Sequence, residues 1–223
     1  MLRRAPLIVV AVVVAAGLAF GQSLSLDAVD SGNYDWTGDH GSSNQNYIAG
    51  SPSNGYYELR NFVVFDLAGV TGPVTAATLE LYNPGQVPDG SDGFTSADPT
   101  ETYTVYEVTT PVATLVAGGT GLTAVFDDLG AGVLFGSVEV SAADNGAIVQ
   151  VPLNPDAVAA INAAGGLWAV GGALTTITGT RHEYVFGSTN GSHVRRLVLE
   201  TGDAIFADGF ESGSASPWST SVP

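Results

Sequence analysis

The stretch ELRNFVVFDL, at residues 58–67, carries apolar side chains at four successive positions, Phe62 to Phe65. Successive side chains of a β-strand point to opposite faces of the sheet, so an unbroken apolar run indicates a strand covered on both sides. The stretch is therefore predicted to be a central strand of a sheet.

The following stretch, VTAATLELY at residues 74–82, ends in a clear alternation with a period of two. This pattern predicts a strand with Leu79 and Leu81 on its inward face. Phe62 and Phe65 are expected to start the core, and the two leucines to pack back onto it after the chain reverses direction.

Short β-branched and aromatic segments separated by Gly, Pro, Asn and Asp continue along the chain, which is typical of all-β proteins. The further predicted strands are residues 102–108, 133–140, 147–153, 167–171 and 194–200, with residues 23–29 as an edge strand. About eight strands favour a two-sheet β-sandwich of jelly-roll type over an immunoglobulin domain, which needs only about 100 residues.

One short helix is predicted to interrupt the strands. Asn154 is a good N-cap, Pro155 suits the first helical position, and Gly165 and Gly166 end the helix. Its apolar positions fall on one side, so we expect it to lie against the sandwich or to cap the sandwich's open end.

Two stretches, residues 30–56 and residues 83–99, are rich in Gly, Ser, Asn, Asp and Pro and are predicted to be long loops. Loops of this length inside a compact domain are usually functional or mobile. The first loop is the richer in aromatic residues and is therefore the stronger candidate for a binding surface.

The 223-residue chain has 6 Arg, no Lys and no Cys against 22 Asp and Glu, which gives a formal charge of −16. Nucleic acids and anionic lipids would be repelled by such a chain, so neither is an expected partner. Without Cys, disulfides, thiolate metal sites and thiol catalysis are excluded.

Residues 1–21 have the pattern of a signal peptide: a basic start, an apolar run and the small residues Ala19 and Gly21 before Gln22. Cleavage before Gln22 is expected to leave a secreted or cell-surface protein without a membrane span. An uncleaved membrane anchor is the alternative.

Residues 22–201 are then one sandwich domain, and residues 202–223 form a C-terminal tail with aromatic residues in a Ser, Gly and acidic background. Such a peptide either docks on another surface or is recognised by a partner. The alternative is a weakly ordered chain end that has no function. The residues proposed for tail recognition are Phe206, Phe210 and Trp218.

Nucleophilic triads and zinc sites are not expected. The only histidines are His40, His182 and His193, and no Ser lies in a nucleophile elbow. No two histidines have the spacing of a zinc site.

The sequence does not exclude a pair of carboxylates that cleaves a glycosidic bond. Asp66 and Asp128 are nevertheless better explained as turn residues at strand ends. A lyase arrangement of Arg181, His182 and Tyr184 is weakened because Arg181 would point away from the other two in a strand. Catalysis is therefore not the predicted activity.

Structural calcium is the one cofactor that the sequence suggests. Carboxylate and amide oxygens cluster near the first loop, although their spacing is not that of an EF-hand, and such residues also serve to hydrogen bond their own backbone. The candidate calcium ligands are Asp27, Asp30, Asn33, Asp35 and Asp39.

Aromatic side chains in a polar loop can stack on sugar faces while neighbouring polar groups bind the hydroxyls. The candidate glycan-binding residues are Tyr34, Trp36, His40, Tyr47, Tyr56 and Tyr57. The alternative is that Trp36 and Tyr47 only pin the loop to the sandwich.

The segment RNFVVFDL at residues 60–67, followed by residues 74–82, resembles the DNRLRE-type secreted β-sandwich domains, which carry an Arg-x-Phe-x-x-Phe-Asp strand before a Val-x-x-Ala-x-Leu-x-Leu strand. That group includes carbohydrate-binding modules of polysaccharide-degrading enzymes, so the resemblance implies association with a glycan or a matrix.

Later segments, among them residues 103–108 and 154–166, are similar to secreted proteins with PEP-CTERM sorting tails. The chain departs from that pattern because it ends without a Pro-Glu-Pro motif, an apolar helix or an Arg cluster. Its IFADGFESG segment, residues 205–213, instead resembles a short C-terminal tail of assorted secreted bacterial proteins.

The sequence thus favours a non-catalytic secreted module that binds an extracellular polysaccharide or matrix. A second hypothesis is a structural surface or matrix protein that has a protein partner and is attached through its tail. A small polysaccharide lyase or hydrolase is the third.

Overall fold

The computed structural model describes residues 22–53, 57–85, 93–178 and 182–202. Its strands are β1 (Gln22–Asp27), β2 (Asp30–Asp35), β3 (Ala49–Ser51), β4 (Leu59–Asp66), β5 (Val74–Asn83), β6 (Thr100–Glu107), β7 (Leu134–Ser141), β8 (Ala147–Leu153), β9 (Leu167–Leu174), β10 (Glu183–Val185) and β11 (Arg195–Thr201). Its helices are α1 (Val112–Ala117), α2 (Thr123–Asp128) and α3 (Pro155–Ala163), and a single 3₁₀ turn spans Ala142–Asp144.

The strands form two antiparallel sheets that pack face to face. One sheet has the order β1-β11-β5-β8, and the other has the order β10-β3-β4-β9-β6-β7 with β2 paired to β4. If β2, β3 and β10 are left out and the other eight strands are renumbered 1 to 8 along the chain, the first sheet has the order 1-8-3-6 and the second has the order 2-7-4-5. This is the strand order of a jelly roll, and the predicted fold class is confirmed.

The main core lies between the two sheets. Leu79 and Leu81 of β5 are fully buried there, as their alternation predicted. They face Val63 and Phe65 of β4 in the second sheet, within one continuous cluster of apolar side chains. Residues 58–67 and residues 74–82 therefore face each other across the core of the sandwich.

A second core covers the outer face of β4. Phe62 and Val64 point away from the sandwich and pack against buried apolar side chains of α1 and α2, among them Leu115 and Phe126. The prediction that β4 is covered on both sides is confirmed. The prediction that Phe62 and Phe65 start the same core is wrong, because side chains three positions apart in a strand face opposite ways.

Helices α1 and α2 were not predicted from the sequence. Each has only six residues, and neither has a side-chain N-cap. Isolated helices of this length are unstable in water, so their stability comes from packing on the sheet.

Helix α3 forms where it was predicted. Asn154 Oδ1 accepts a hydrogen bond from the Ala157 N–H at 3.0 Å, and Ala157 and Ile161 are buried against the sandwich. The Asn162 side chain bonds both the N–H and the carbonyl of Val74 at 2.8 Å. The helix thus closes one end of the sandwich.

The predicted loop at residues 30–56 is partly wrong, because it contains β2 and β3. Strand β2 pairs with β4 from Asp30 to Asp35, and β3 meets β4 at the Gly50–Leu59 pair. The DSGNYD sequence of β2 has the composition of a turn, and only its position between β4 and the helices makes it a strand. Residues 86–92 of the second predicted loop lie outside the described residues.

Two glycines allow close packing on both faces of β9. A Cβ at Gly171 would lie 2.7 Å from the Leu129 backbone, and a Cβ at Gly172 would collide with the Tyr103 hydroxyl and Asn61 Oδ1. These last two groups are joined by a buried hydrogen bond of 2.9 Å.

We predict that Gly172→Ala lowers the free energy of unfolding by about 1–3 kcal/mol, because the methyl group overpacks the core and displaces Tyr103 from Asn61. Urea unfolding measures the change. The matched control is Gly165→Ala, where an added Cβ meets open space, and a change within about 0.5 kcal/mol is expected. Equal effects of the two substitutions would contradict the packing described for Gly172.

Asp128 joins the end of α2 to the turn before α1. Its carboxylate accepts hydrogen bonds from the N–H and hydroxyl groups of both Thr109 and Thr110, at 2.7–2.9 Å. Burial alone would raise the pKa of Asp128, but the hydrogen bonds from Thr110 and Thr109 outweigh it and hold the pKa below its usual value.

We predict that Asp128→Asn lowers the free energy of unfolding by about 1–2 kcal/mol at pH 7. Because the pKa is lower in the folded than in the unfolded state, this stabilisation is present above the unfolded-state pKa and is lost as the pH falls through the folded-state pKa. Urea unfolding at pH 7 and below pH 3 measures it, with exposed Asp127→Asn as the control. A difference between wild type and Asp128→Asn that did not change with pH would contradict the assignment.

Candidate functional site

The predicted glycan-binding residues separate into buried and exposed groups. Tyr34, Tyr47 and His40 are buried, so the expectation that their rings are exposed is wrong. Trp36 is 51% exposed and Tyr57 is 38% exposed. Tyr56 lies outside the described residues.

Tyr47 belongs to the main core. Its ring packs beside Phe186 at 5.8 Å between centroids, and its hydroxyl donates to the Tyr82 carbonyl at 2.9 Å. Burial raises the pKa of Tyr47 well above its usual range. The alternative that Tyr47 pins the loop to the sandwich is therefore confirmed, whereas exposed Trp36 does not play that part.

Buried polar side chains hold the chain around Tyr47 in place. Ser31 Oγ donates to the Gln45 carbonyl at 2.9 Å, and Asn33 Nδ2 donates to the Asn46 carbonyl at 2.7 Å. Asn61 Nδ2 donates to the Tyr47 carbonyl at 2.5 Å. Together with the buried Tyr47 ring, these contacts fix residues 45–47 against β2 and β4, and they explain why a polar sequence is ordered here.

Buried His40 stabilises the same region. Its ring lies 4.9 Å from Tyr34 and 5.2 Å from Phe62 between centroids, and Nδ1 donates to the Asn33 carbonyl at 2.9 Å. Desolvation lowers the pKa of His40 although the Asn33 bond and the Asp30 charge oppose it. The ring is thus held neutral in the wall of the site.

A tight turn joins the backbone of Trp36 to the residue after Tyr57. Asp35 Oδ1 accepts hydrogen bonds from the N–H groups of Thr37 at 2.9 Å and Asp39 at 3.0 Å. At the same turn, the Trp36 N–H donates to the Glu58 carbonyl at 2.9 Å, one residue from Tyr57. Two stretches far apart in sequence are thereby joined through their backbones.

Two open clefts meet at Tyr57. The first, called here the polar cleft, has a volume of about 360 Å³ and is lined by Asn33, Asp35, Asp39, His40, Gly41, Asn44, Tyr57, Gly119 and Thr120. The second, called the outer cleft, has a volume of about 410 Å³ and includes Tyr57, Glu58 and Arg60 in its wall. Tyr57 is shared, so the clefts adjoin.

The electrostatics of this surface are acidic at one end and mixed at the other. Burial raises the pKa of Tyr57, and the carboxylates of Asp35 and Asp39 raise it further. In the outer cleft, Arg60 Nε lies 2.8 Å from Glu58 Oε1, and the guanidinium stands 4.1 Å above the ring of Phe126. Polar hydrogen-bonding groups therefore surround Tyr57, whereas Trp36 lines neither cleft.

The structure separates the candidate calcium ligands. Asn33, Asp35 and Asp39 share the polar cleft. Asp30 is at the other end of β2, about 16 Å from Asp35 along an extended strand, and Asp27 lines a different cavity. Among the residues that the structure describes, no three His, Asp or Glu side chains are grouped to hold a metal ion.

The residues considered as catalytic candidates take part in contacts that stabilise the fold. Asp66 Oδ1 accepts a hydrogen bond from the Ala68 N–H at 3.0 Å, and Asp128 holds the turn described above. Asp66 serves a turn at a strand end, as the sequence suggested, whereas Asp128 lies at the end of helix α2 and not of a strand. Tyr184 is buried, and Arg181 lies outside the described residues.

Two further predictions concern the ends of the chain. The signal peptide, residues 1–21, and the tail residues Phe206, Phe210 and Trp218 lie outside the described residues. Within the described ranges, every helix is too short or too polar to cross a membrane.

Sequence reasoning missed the partners of Trp36 and Tyr57. Glu58 and Arg60 belong to the stretch ELRNFVVFDL, but nothing in that stretch indicates that the two side chains form an ion pair in the wall of a cleft. Comparison with protein-family models and with curated proteins gives no match for this chain.

Proposed function

We propose that this chain is a non-catalytic, secreted module that binds an extracellular glycan across Trp36 and Tyr57. One observation carries the proposal: in the described part of the chain, Trp36 and Tyr57 are the exposed residues among Phe, Tyr and Trp, and the Trp36 backbone is hydrogen bonded to Glu58, the residue after Tyr57. Aromatic rings of this kind present an apolar face that stacks on a sugar ring.

The polar cleft supplies the groups that would orient the sugar. Asp35 and Asp39 offer carboxylate oxygens, and Asn33 and Asn44 offer amides that accept or donate hydrogen bonds. A few fixed polar groups beside an apolar surface are the usual design of a small-ligand site.

The size of the surface favours a polymer over a single sugar. The polar and outer clefts both include Tyr57 in their walls, and each is by itself within the size range of a small-ligand pocket, so two adjoining sites are present. A chain of sugars would cross Tyr57 and reach the ion pair of Arg60 and Glu58.

Binding without catalysis is proposed because the carboxylates weighed for glycoside cleavage line neither cleft. Asp66 and Asp128 are instead hydrogen bonded in turns. Secretion is proposed from residues 1–21, whose pattern is that of a signal peptide.

Affinity electrophoresis of the purified chain tests the proposal. The protein is run through native gels that contain one neutral or acidic polysaccharide each, with calcium and with chelator. We expect at least one polysaccharide to retard the protein, and soluble fragments of that polymer to restore its mobility. Unchanged mobility in every gel would contradict the proposal.

A further inference from the structure

Arg195, at the start of β11, is a buried cation with few partners. It is 8% exposed. Its Nη1 donates to Ser31 Oγ at 2.5 Å and its Nη2 donates to the Gly191 carbonyl at 2.7 Å. Nε is buried and has no hydrogen-bond partner. Two described hydrogen bonds thus serve a group that has five N–H donors.

No carboxylate within the described ranges forms an ion pair with Arg195. The described ion pairs join Arg60 to Glu58 and Arg196 to Glu80, each at 2.8–2.9 Å. Asp27 and Asp30 act on Arg195 only through longer-range charge. A buried charge without a counter-charge is unfavourable, so an anion would be bound favourably here.

A cavity of about 370 Å³ opens beside this guanidinium, and Gly191, His193 and Asp27 contribute to its wall. Arg195 itself and Gly191, whose carbonyl accepts the hydrogen bond from Nη2, both line this cavity. His193 Nδ1 accepts a hydrogen bond from the Asn190 N–H at 3.1 Å, which leaves Nε2 as the protonated donor of the neutral ring.

We propose that this cavity is an anion site that binds the carboxylate group of a small organic acid, with Arg195 as the cation. A guanidinium and a carboxylate form strong charge-assisted hydrogen bonds with matched geometry. Asp27 in the wall and the formal charge of −16 disfavour a doubly charged phosphate or sulfate. The volume suits one acid of the size of a uronate.

This site is independent of the proposed glycan surface, because the cavity shares no lining residue with the polar or the outer cleft. Each proposal can therefore fail without the other.

The test is an NMR titration of the full chain with sodium glucuronate, followed on the arginine Nε–H signals at constant ionic strength. We expect a saturable shift of the Arg195 signal, and no shift with glucose. Arg195→Gln should weaken glucuronate binding, measured by calorimetry, at least about tenfold. The control is Arg196→Gln on the opposite face of β11, which should bind glucuronate like wild type.

Three results would overturn the proposal: no saturable shift with glucuronate, unchanged affinity in Arg195→Gln, or tighter binding of sulfate than of glucuronate. If Arg195→Gln does not fold, Arg195→Lys keeps the charge but loses the planar pair of donors. A large loss of affinity in that variant supports the site, and wild-type affinity contradicts it.

Discussion

Replacing Trp36 with alanine is expected to weaken polysaccharide binding about 30-fold, which corresponds to about 2 kcal/mol for an aromatic residue that stacks on the ligand. The exposed indole leaves no cavity in the core when it is removed. The backbone hydrogen bond from Trp36 to Glu58 is kept in the variant. The lost affinity therefore reports stacking on the sugar.

Retardation in gels of increasing polysaccharide concentration gives the dissociation constants. The control is Leu167→Ala, because Leu167 is also large, apolar and exposed but pairs with Asp66, at the opposite end of β4 from Glu58. This variant should bind like wild type, and both variants should keep the wild-type Tm. Wild-type affinity of Trp36→Ala would place the glycan elsewhere on the molecule.

Replacing Phe62 with alanine is expected to lower the free energy of unfolding by about 3–5 kcal/mol. Phe62 is fully buried on the outer face of β4, where it contacts the apolar side chains of α1 and α2. Its ring also meets the edge of His40 at 5.2 Å between centroids. Removing it leaves a cavity between the sheet and two helices that depend on this packing.

Urea unfolding followed by circular dichroism measures this loss. The control is Val133→Ala at an exposed position, for which a change within about 0.5 kcal/mol is expected. A loss below about 1 kcal/mol in Phe62→Ala would mean that the helices do not cover β4 as described.

Strands with a strong apolar pattern could be predicted from the sequence, and those without one could not. β4, β5 and β8 were predicted to within one residue at each end, since their side chains alternate or form a continuous apolar run. β2 has no such pattern, because Tyr34 is its only large apolar residue. β9 was predicted too short, because Gly171 resembles a strand end although it serves close packing.

The candidate site shows a similar division. Trp36 and Tyr57 were named from the sequence, but so were Tyr34 and Tyr47, which are buried. An aromatic residue in a polar loop gives the same pattern whether its ring faces solvent or the core. Arg195 was not named, since consecutive arginines in a strand face opposite ways and the sequence does not indicate which one is buried.

The most direct test of the glycan surface is an NMR titration with oligosaccharides from the retarding polymer, observed on the indole N–H signals. The chain has three tryptophans, and Trp168 is buried in the main core. Trp36→Phe assigns the signal of Trp36. We predict that this signal shifts to saturation while that of Trp168 stays in place. Binding that leaves the Trp36 signal unmoved would contradict the assignment of the glycan site to this surface.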